Sequence, residues 1–302
     1  VEQLLKGTTA YKILEGDCDA DKLSHAYMLD FPDLKNLKAA LVIFALRFFG
    51  ARTGTSLYQR IINESYTDLK IYPSEGKKLD AQTVGQLLED SAMRPIEGDK
   101  KLYVIVGFDG ASALIQNKLL KTLEEPLSGV HFLLGVTSLA PVLDTVKSRV
   151  KLLEIPPFTE SQIFEVLERD GHKQINEAAA KSANGVLGVA QNMASGGWFE
   201  AVLQGAREIC NVKNVSEIGA IAYKYGDTKY KNELLNEMQR LYFTALKEGT
   251  GLPLCRGALV YALENITKAF ADVKFNAFFQ GLLYDFMLRV VKENNRWQKL
   301  QQ

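Results

Sequence analysis

Cysteine, histidine and tryptophan are scarce in this chain, and charge of neither sign is in excess. Cys18, Cys210 and Cys255 are few, odd in number and far apart. They offer no C-x-x-C spacing for zinc and no paired disulfide framework. The expectation is three reduced thiols in a cytoplasmic protein. His25, His131 and His172 stand at no metal-ligand spacing; His25 is expected beside the first strand, His131 at a strand edge and His172 on the surface. Lys+Arg and Asp+Glu both total 36, and neither half of the chain is polarised. Dedicated nucleic-acid binders carry a basic excess, so any DNA contact would need a local patch or a larger assembly. Long apolar runs are missing as well. Ala39–Phe49 is interrupted by Arg47 and falls far short of the roughly 20 residues that span a bilayer. No secretory pattern, repeat or low-complexity tract is read, and no membrane association is expected.

What remains is an ordinary globular composition, 47% hydrophobic and 24% charged over 302 residues, enough for two or three domains. In the first half, short apolar runs alternate with helical patterns. Ala26–Leu29, Leu69–Tyr72, Leu102–Val106, Phe132–Val136 and Leu152–Ile155 are predicted strands. Residues 1–22 read as one helix followed by a polar connection. Further helices are predicted over Leu34–Phe49, with Asp33 as N-cap, over Gln82–Met93, and over a segment that Pro126 ends. In that last helix Ile115, Leu119, Leu120 and Leu123 form the buried stripe. Gly50–Thr55 reads as a loop. The alternation predicts βαβ units and a parallel sheet. Pro156-Pro157 marks a boundary. Beyond it Thr159 caps a helix over Ser161–Arg169, and Gln174–Ser182 and Val186–Ala194 follow, making a small three-helix unit. From Trp198 onward the pattern is helical throughout, over 198–210, 215–225, 228–248, 255–271 and 275–297. Three domains result: 1–157 (α/β), 158–196 (small, helical) and 197–302 (all-α).

The turn after Ala26–Leu29 is where an α/β nucleotide-binding fold carries its phosphate loop. Such a loop needs glycines, so that backbone N–H groups can approach the phosphates, and a lysine to neutralise them. Phe31-Pro32-Asp33-Leu34-Lys35-Asn36-Leu37-Lys38 contains no glycine, and Asp33 would put a negative charge where an anion belongs. Lys35 and Lys38 fit a solvated helix face about as well as a phosphate site. The acids expected directly after Leu102–Val106 are missing. Asp109 either imitates them or, the preferred reading, caps the following helix. Thr137 is read as a hydrogen-bonding residue at a strand end. The pattern is a nucleotide-binding fold without its nucleotide site.

Four segments carry a family resemblance. They are Leu23-Ser24-His25-Ala26-Tyr27, Gly85–Arg94 with Pro95-Ile96-Glu97-Gly98, Lys118-Leu119-Leu120-Lys121-Thr122-Leu123-Glu124-Glu125-Pro126, and Ser148-Arg149-Val150. Together they resemble the AAA+ clamp-loader family, and within it the delta-prime subunits of bacterial DNA polymerase III. The 119–126 string is shared with the ATP-hydrolysing tau and gamma relatives; the missing phosphate loop is what separates them. Departures are plain. Phe49–Thr55 replaces the four-cysteine zinc module of many delta-prime proteins, Val150 replaces the cysteine of the Ser-Arg-Cys motif, and the C-terminal third is similar only in helical character and position.

The resemblance implies an AAA+ domain with a degenerate nucleotide site, a small helical lid and a helical collar for oligomerisation. It implies no zinc, no ATP held by the chain's own site and no intrinsic enzymatic activity. The partners implied are the delta and tau/gamma subunits and, through the complex, the sliding beta clamp and primer–template DNA. Arg149 matches the arginine that completes a neighbouring subunit's ATP site, with Ser148 supporting it. The plainer reading is that Arg149 pairs with a local carboxylate such as Asp144 or Glu154. Asn184-Gly185-Val186-Leu187-Gly188 falls where related ATPases carry a phosphate-sensing residue; lacking an arginine, it reads as a helix start. Rival expectations are an ATP-hydrolysing paralogue and a silent AAA+ scaffold in another DNA-repair assembly.

Overall fold

Five short apolar runs pair as one parallel sheet. They are β1 (Ala26–Asp30), β2 (Leu69–Tyr72), β3 (Lys101–Val106), β4 (Val130–Val136) and β5 (Lys151–Glu154), in the spatial order β2-β3-β4-β1-β5. Parallel sheets are covered on both faces, which is why these strands read as nearly continuous apolar segments. Only β5, at one edge, is mostly exposed, with Leu153 its one buried residue. The computed structural model describes residues 1–74, 79–168, 173–249, 251–275 and 277–300, without the side chains of 173, 174 and 300. The surface position expected for His172 and the end of the helix expected over Ser161–Arg169 lie outside these residues.

Side chains alternate across each strand with period two. One face presents Met28, Tyr103, Ile105, Phe132 and Leu134, packed with Leu119 and Leu123 of α6 (Ala113–Glu124) and Val84 and Leu87 of α5 (Ala81–Ser91). On this face Tyr72, Tyr103 and Phe132 stack in a row, with ring centroids 6.5 and 5.6 Å apart. The other face is covered by α3 (Leu37–Phe48), which packs against β3 and β4. Its approach is close: a Cβ on Gly135 of β4 would lie 2.5 Å from Leu41 Cδ1. Side-chain oxygens start the helices as capping chemistry requires. Asp80 accepts from Thr83 N ahead of α5 and Ser112 from Ile115 N ahead of α6. Thr159 and Gln162 form a complete capping box at α8 (Glu160–Leu167).

Several local expectations are corrected. Residues 1–22 form two helices, α1 (Glu2–Lys6) and α2 (Thr9–Asp19), because Thr8 caps the second by accepting from Tyr11 N. A further helix, α4 (Ser56–Ile62), follows the Gly50–Thr55 loop and is capped by Thr55. The helix expected from Leu34 begins at Leu37, and Leu34 is 78% exposed. His131 is no edge residue. It sits in β4, inside the sheet, with Nδ1 2.8 Å from Ser24 O and its ring against Phe48. The short α7 (Asp144–Lys147) leads into β5.

By its contacts the chain divides into two units, Val1–Arg169 with Ala183–Val189, and Asp170–Ser182 with Ala190–Gln302. The second is all-helical: α9 (Lys173–Ser182), α10 (Leu187–Ser195, whose first residues belong to the first unit), α11 (Gly197–Cys210), α12 (Val215–Gly226), α13 (Lys231–Glu248), α14 (Arg256–Lys274) and α15 (Phe279–Leu300). Within it α13 packs on α11 and α14, and α15 on α12 and α14. The buried Glu237 of α13 is satisfied by Arg240 Nε at 2.9 Å and Ser182 Oγ at 3.0 Å. No described helix is long and apolar enough to cross a membrane.

Candidate functional site

The β1–α3 turn, Phe31–Asn36, continues a sheet that holds it tightly. Phe31 N donates to Val136 O at 2.9 Å and Ile155 N to Asp30 O at 2.9 Å. Phe31 is buried, edge-on to Phe158 at 6.1 Å. Asp33 N then donates to Phe31 O at 2.7 Å, folding the turn back on itself. The Asp33 side chain is 1% exposed. Its Oδ1 accepts from Asn36 N at 3.2 Å, and its Oδ2 from Asn36 Nδ2 and from Gly188 N, both at 2.7 Å. Asp33 therefore does not start α3 from outside, as its sequence position suggests; it is a buried hub. Gly188 is required there, because a Cβ would stand 2.2 Å from Asp33 Oδ1 and 2.8 Å from Lys35 Cβ. The segment is anchored again where Phe158 N donates to Gly185 O at 2.9 Å.

A phosphate site offers converging N–H donors to an external anion. Here the donors converge on the chain's own carboxylate, and a phosphate would have to displace a buried charged group. Lys38 is committed to Glu64 at 2.6 Å. At the neighbouring strand ends, Asp109 Oδ2 accepts from Thr137 Oγ1 at 2.6 Å and Thr137 N at 3.1 Å. Thr137 is the strand-end hydrogen-bonder expected of it. Asp109 is its partner, while Ser112 caps α6.

A cavity of about 690 Å³ opens beside these strand ends, lined in part by Asp30, Leu139, Leu152, Glu154 and Pro157. Among the described residues that line it, none is lysine or arginine. Asp30 and Glu154 are in register on adjacent strands. Burial, and then the nearby Glu154 and Asp109, hold the Asp30 carboxyl above the ordinary aspartate range. Two of the described lining residues are therefore acids, and none is a base. Among the described residues no cluster of three or more His, Cys, Asp or Glu could hold a metal ion.

Arg149 lies at the opposite end of the strands, ahead of β5. It falls between α7 and β5, level with His25, whose Nε2 is 3.1 Å from Arg149 O. The closed loop lies past Asp30, and Tyr27↔Lys151 through Asp30↔Glu154 fix the register between the two levels. The five residue-to-residue steps from His25 to Asp30 amount to about 16 Å of extended chain at roughly 3.3 Å each. The guanidinium, with 32% of its side chain exposed, forms an ion pair with Glu124 rather than with Asp144 or Glu154. Asp144 pairs with Lys147 at 3.2 Å. Ser148 Oγ accepts from Arg149 Nη1 at 3.2 Å and donates to Thr145 O at 3.1 Å.

The family model described as DNA polymerase III, delta subunit, matches residues 6–159, just over half of the chain. The chain belongs to that family. The matched span contains the closed loop, Asp109, Thr137 and Arg149, and stops short of the helical C-terminal part. Among curated relatives, DNA polymerase III subunit delta' of Bacillus subtilis is 28% identical over 182 residues, covering 58% of this chain and 55% of the relative. DNA polymerase III subunit gamma of Buchnera aphidicola (subsp. Schizaphis graminum) is 27% identical over 150 residues, covering 47% of this chain and 40% of the relative. The chain thus spans about half the length of the curated relatives it matches. A solved structure of a DNA polymerase III gamma subunit-related protein from Thermotoga maritima is covered over 98% of its length and covers 95% of this family member, with 14% identity and a TM-score of 0.44.

Proposed function

We propose that this family member is a delta-prime-type subunit of a bacterial clamp loader: it binds no ATP itself and presents Arg149 to ATP held by an adjacent tau/gamma subunit. The observation that carries the reading is the buried Asp33 carboxylate, which takes the converging N–H donors that a phosphate would need. A chain that cannot hold ATP, yet carries an accessible arginine about 16 Å of strand away from its closed loop, is suited to act on a nucleotide outside itself. The guanidinium fits the task. It is always charged and presents a planar fork of donors, so it can neutralise charge developing on a transferring phosphoryl group. Ser148 supports it by accepting from Nη1.

In this reading residues 1–157 form the AAA+ body, 158–196 a small lid and 197–302 the collar that joins delta and tau/gamma subunits. The complex, in the cytoplasm, loads the sliding clamp onto primed DNA, and this subunit contributes no turnover, zinc or bound nucleotide of its own. A gamma-type, ATP-hydrolysing role is the second reading, supported by the gamma relatives; the glycine-free turn closed on Asp33 weighs against it. Reconstitution with gamma and delta partners tests the trans role. Arg149→Ala is expected to slow turnover at the adjacent ATP site on the order of a thousandfold, seen as loss of DNA-stimulated hydrolysis and of clamp loading. Unchanged hydrolysis and loading would overturn it.

A further inference from the structure

Arg149 is already occupied in the isolated chain. Its Nε donates to Glu124 Oε1 at 2.5 Å, and Nη2 forms an ion pair with the same oxygen. On the other side Nη1 donates to Thr145 O at 2.7 Å and to Ser148 Oγ at 3.2 Å. The Nε–Nη2 edge is one of the two edges with which a guanidinium grips a carboxylate or a phosphate bidentately. A phosphate arriving along that edge must therefore displace Glu124.

Glu124 is well placed to compete. It is the last residue of α6, a helix anchored in the core by the fully buried Leu119 and Leu123. A carboxylate in the last turn of a helix opposes the helix dipole, so its position there does nothing for the helix itself. Its neighbour Glu125 makes no ion pair with Arg149 among the described contacts. Glu124 is 44% exposed and Arg149 32% exposed, and pairs this open to water are weak. A weak competitor is what a reversible handover needs: it holds the arginine when no phosphate is near and yields when one is.

Resting on the trans role of Arg149 proposed above, we infer that Glu124 is a positioning residue that parks the guanidinium and competes with the neighbouring subunit's phosphate for it. Occupation by Glu124 lowers the fraction of Arg149 ready to engage, and the apparent affinity of the composite site for ATP falls by that fraction. His25, holding the Arg149 carbonyl, keeps the backbone in place while the side chain changes partners.

The test is steady-state ATP hydrolysis in the reconstituted complex, across ATP concentration, for the unaltered chain, Glu124→Gln, Glu125→Gln, Arg149→Ala and the Glu124→Gln/Arg149→Ala pair. Glu124→Gln is expected to lower KM for ATP by up to about fivefold, the upper range for an exposed ion pair, with kcat unchanged. Glu125→Gln is expected to change neither, and Glu124→Gln to lose its effect in the Arg149→Ala background. An unchanged KM overturns the inference. So does a loss of kcat like that of Arg149→Ala, which would mean that Glu124 aims the arginine instead of competing for it, and so does a KM effect that persists without Arg149. If Arg149→Ala is itself silent, the trans reading fails and the inference falls with it; if only the Glu124 arm fails, the trans reading stands.

Discussion

Replacing Asp33 probes the closed loop at its centre. In the native chain the carboxylate accepts from Asn36 N, Asn36 Nδ2 and Gly188 N while 1% exposed. Asp33→Ala removes both acceptor oxygens that these three donors share and leaves the Gly188 N–H without its partner. An orphaned buried donor costs about 1–3 kcal/mol, and each hydrogen bond to a charged group contributes about 1.5–3 kcal/mol. Part of that is recovered by Asn36 N, which also donates to Asp33 O at 3.2 Å, and by water entering the space. A net loss of about 2–4 kcal/mol follows. Asp33→Asn keeps the shape but turns one acceptor into a donor facing other donors, so about half that loss is expected, roughly 1–2 kcal/mol. Native-state hydrogen exchange at the Gly188 amide reads the effect locally. Exchange should accelerate roughly 30- to 700-fold in the Ala variant, at tenfold per 1.4 kcal/mol. Exchange within about twofold of the unaltered chain, or an Asn variant as stable as the original, would refute the picture of a carboxylate gathering these donors, since surface changes without such a role stay within about 0.5 kcal/mol.

Two further outcomes follow from the pKa directions. Burial pushes the Cys210 thiol up to about 12, so Cys210 should resist thiol reagents at pH 8 until the chain is unfolded in urea; labelling at the denatured rate in native buffer would show that α11 and α13 do not pack as described. Arg60 grips Glu97 bidentately, with both contacts at 2.6 Å, and that hydrogen bonding, helped by Thr67, lowers the Glu97 carboxyl to about 2. A depressed carboxylate stabilises the fold above its unfolded value of 4.5, and the contribution is lost as pH falls through about 2. A carbon-detected NMR titration should place the Glu97 midpoint near 2, and Arg60→Ala should move it up toward 4.5; a Glu97 midpoint indifferent to Arg60 would contradict the assignment.

The sheet was legible because its strands are buried on both faces and so read as apolar runs between turn residues; Leu102–Val106 and Phe132–Val136 needed no tertiary knowledge. The short helices were not. Thr8 and Thr55 look like loop residues in sequence, and only the donors they accept from mark them as caps. The anion-hostile character of Asp33 could be read from its charge in a glycine-free turn. Its partner could not, since Gly188 lies 155 residues away and carries no side chain to advertise the contact. Arg149 stands out through its motif, but its carboxylate is not a near neighbour in the chain, and Asp144 is taken by Lys147 through helical spacing. Glu124 was in plain view within the most distinctive string of the chain, yet nothing in a linear pattern pairs the end of α6 with the residue before β5. Asp109 departs from the commoner use of an acid ahead of a helix, which is capping; Ser112, nearer to α6, has that role.

The most direct test of the account is equilibrium titration of the isolated chain with labelled ATP and magnesium. With the loop closed on Asp33 and two acids lining the adjoining cavity, no saturable binding is expected up to millimolar nucleotide. One ATP bound per chain at micromolar concentration, and lost on Asp33→Ala, would show a working site in place of a closed loop.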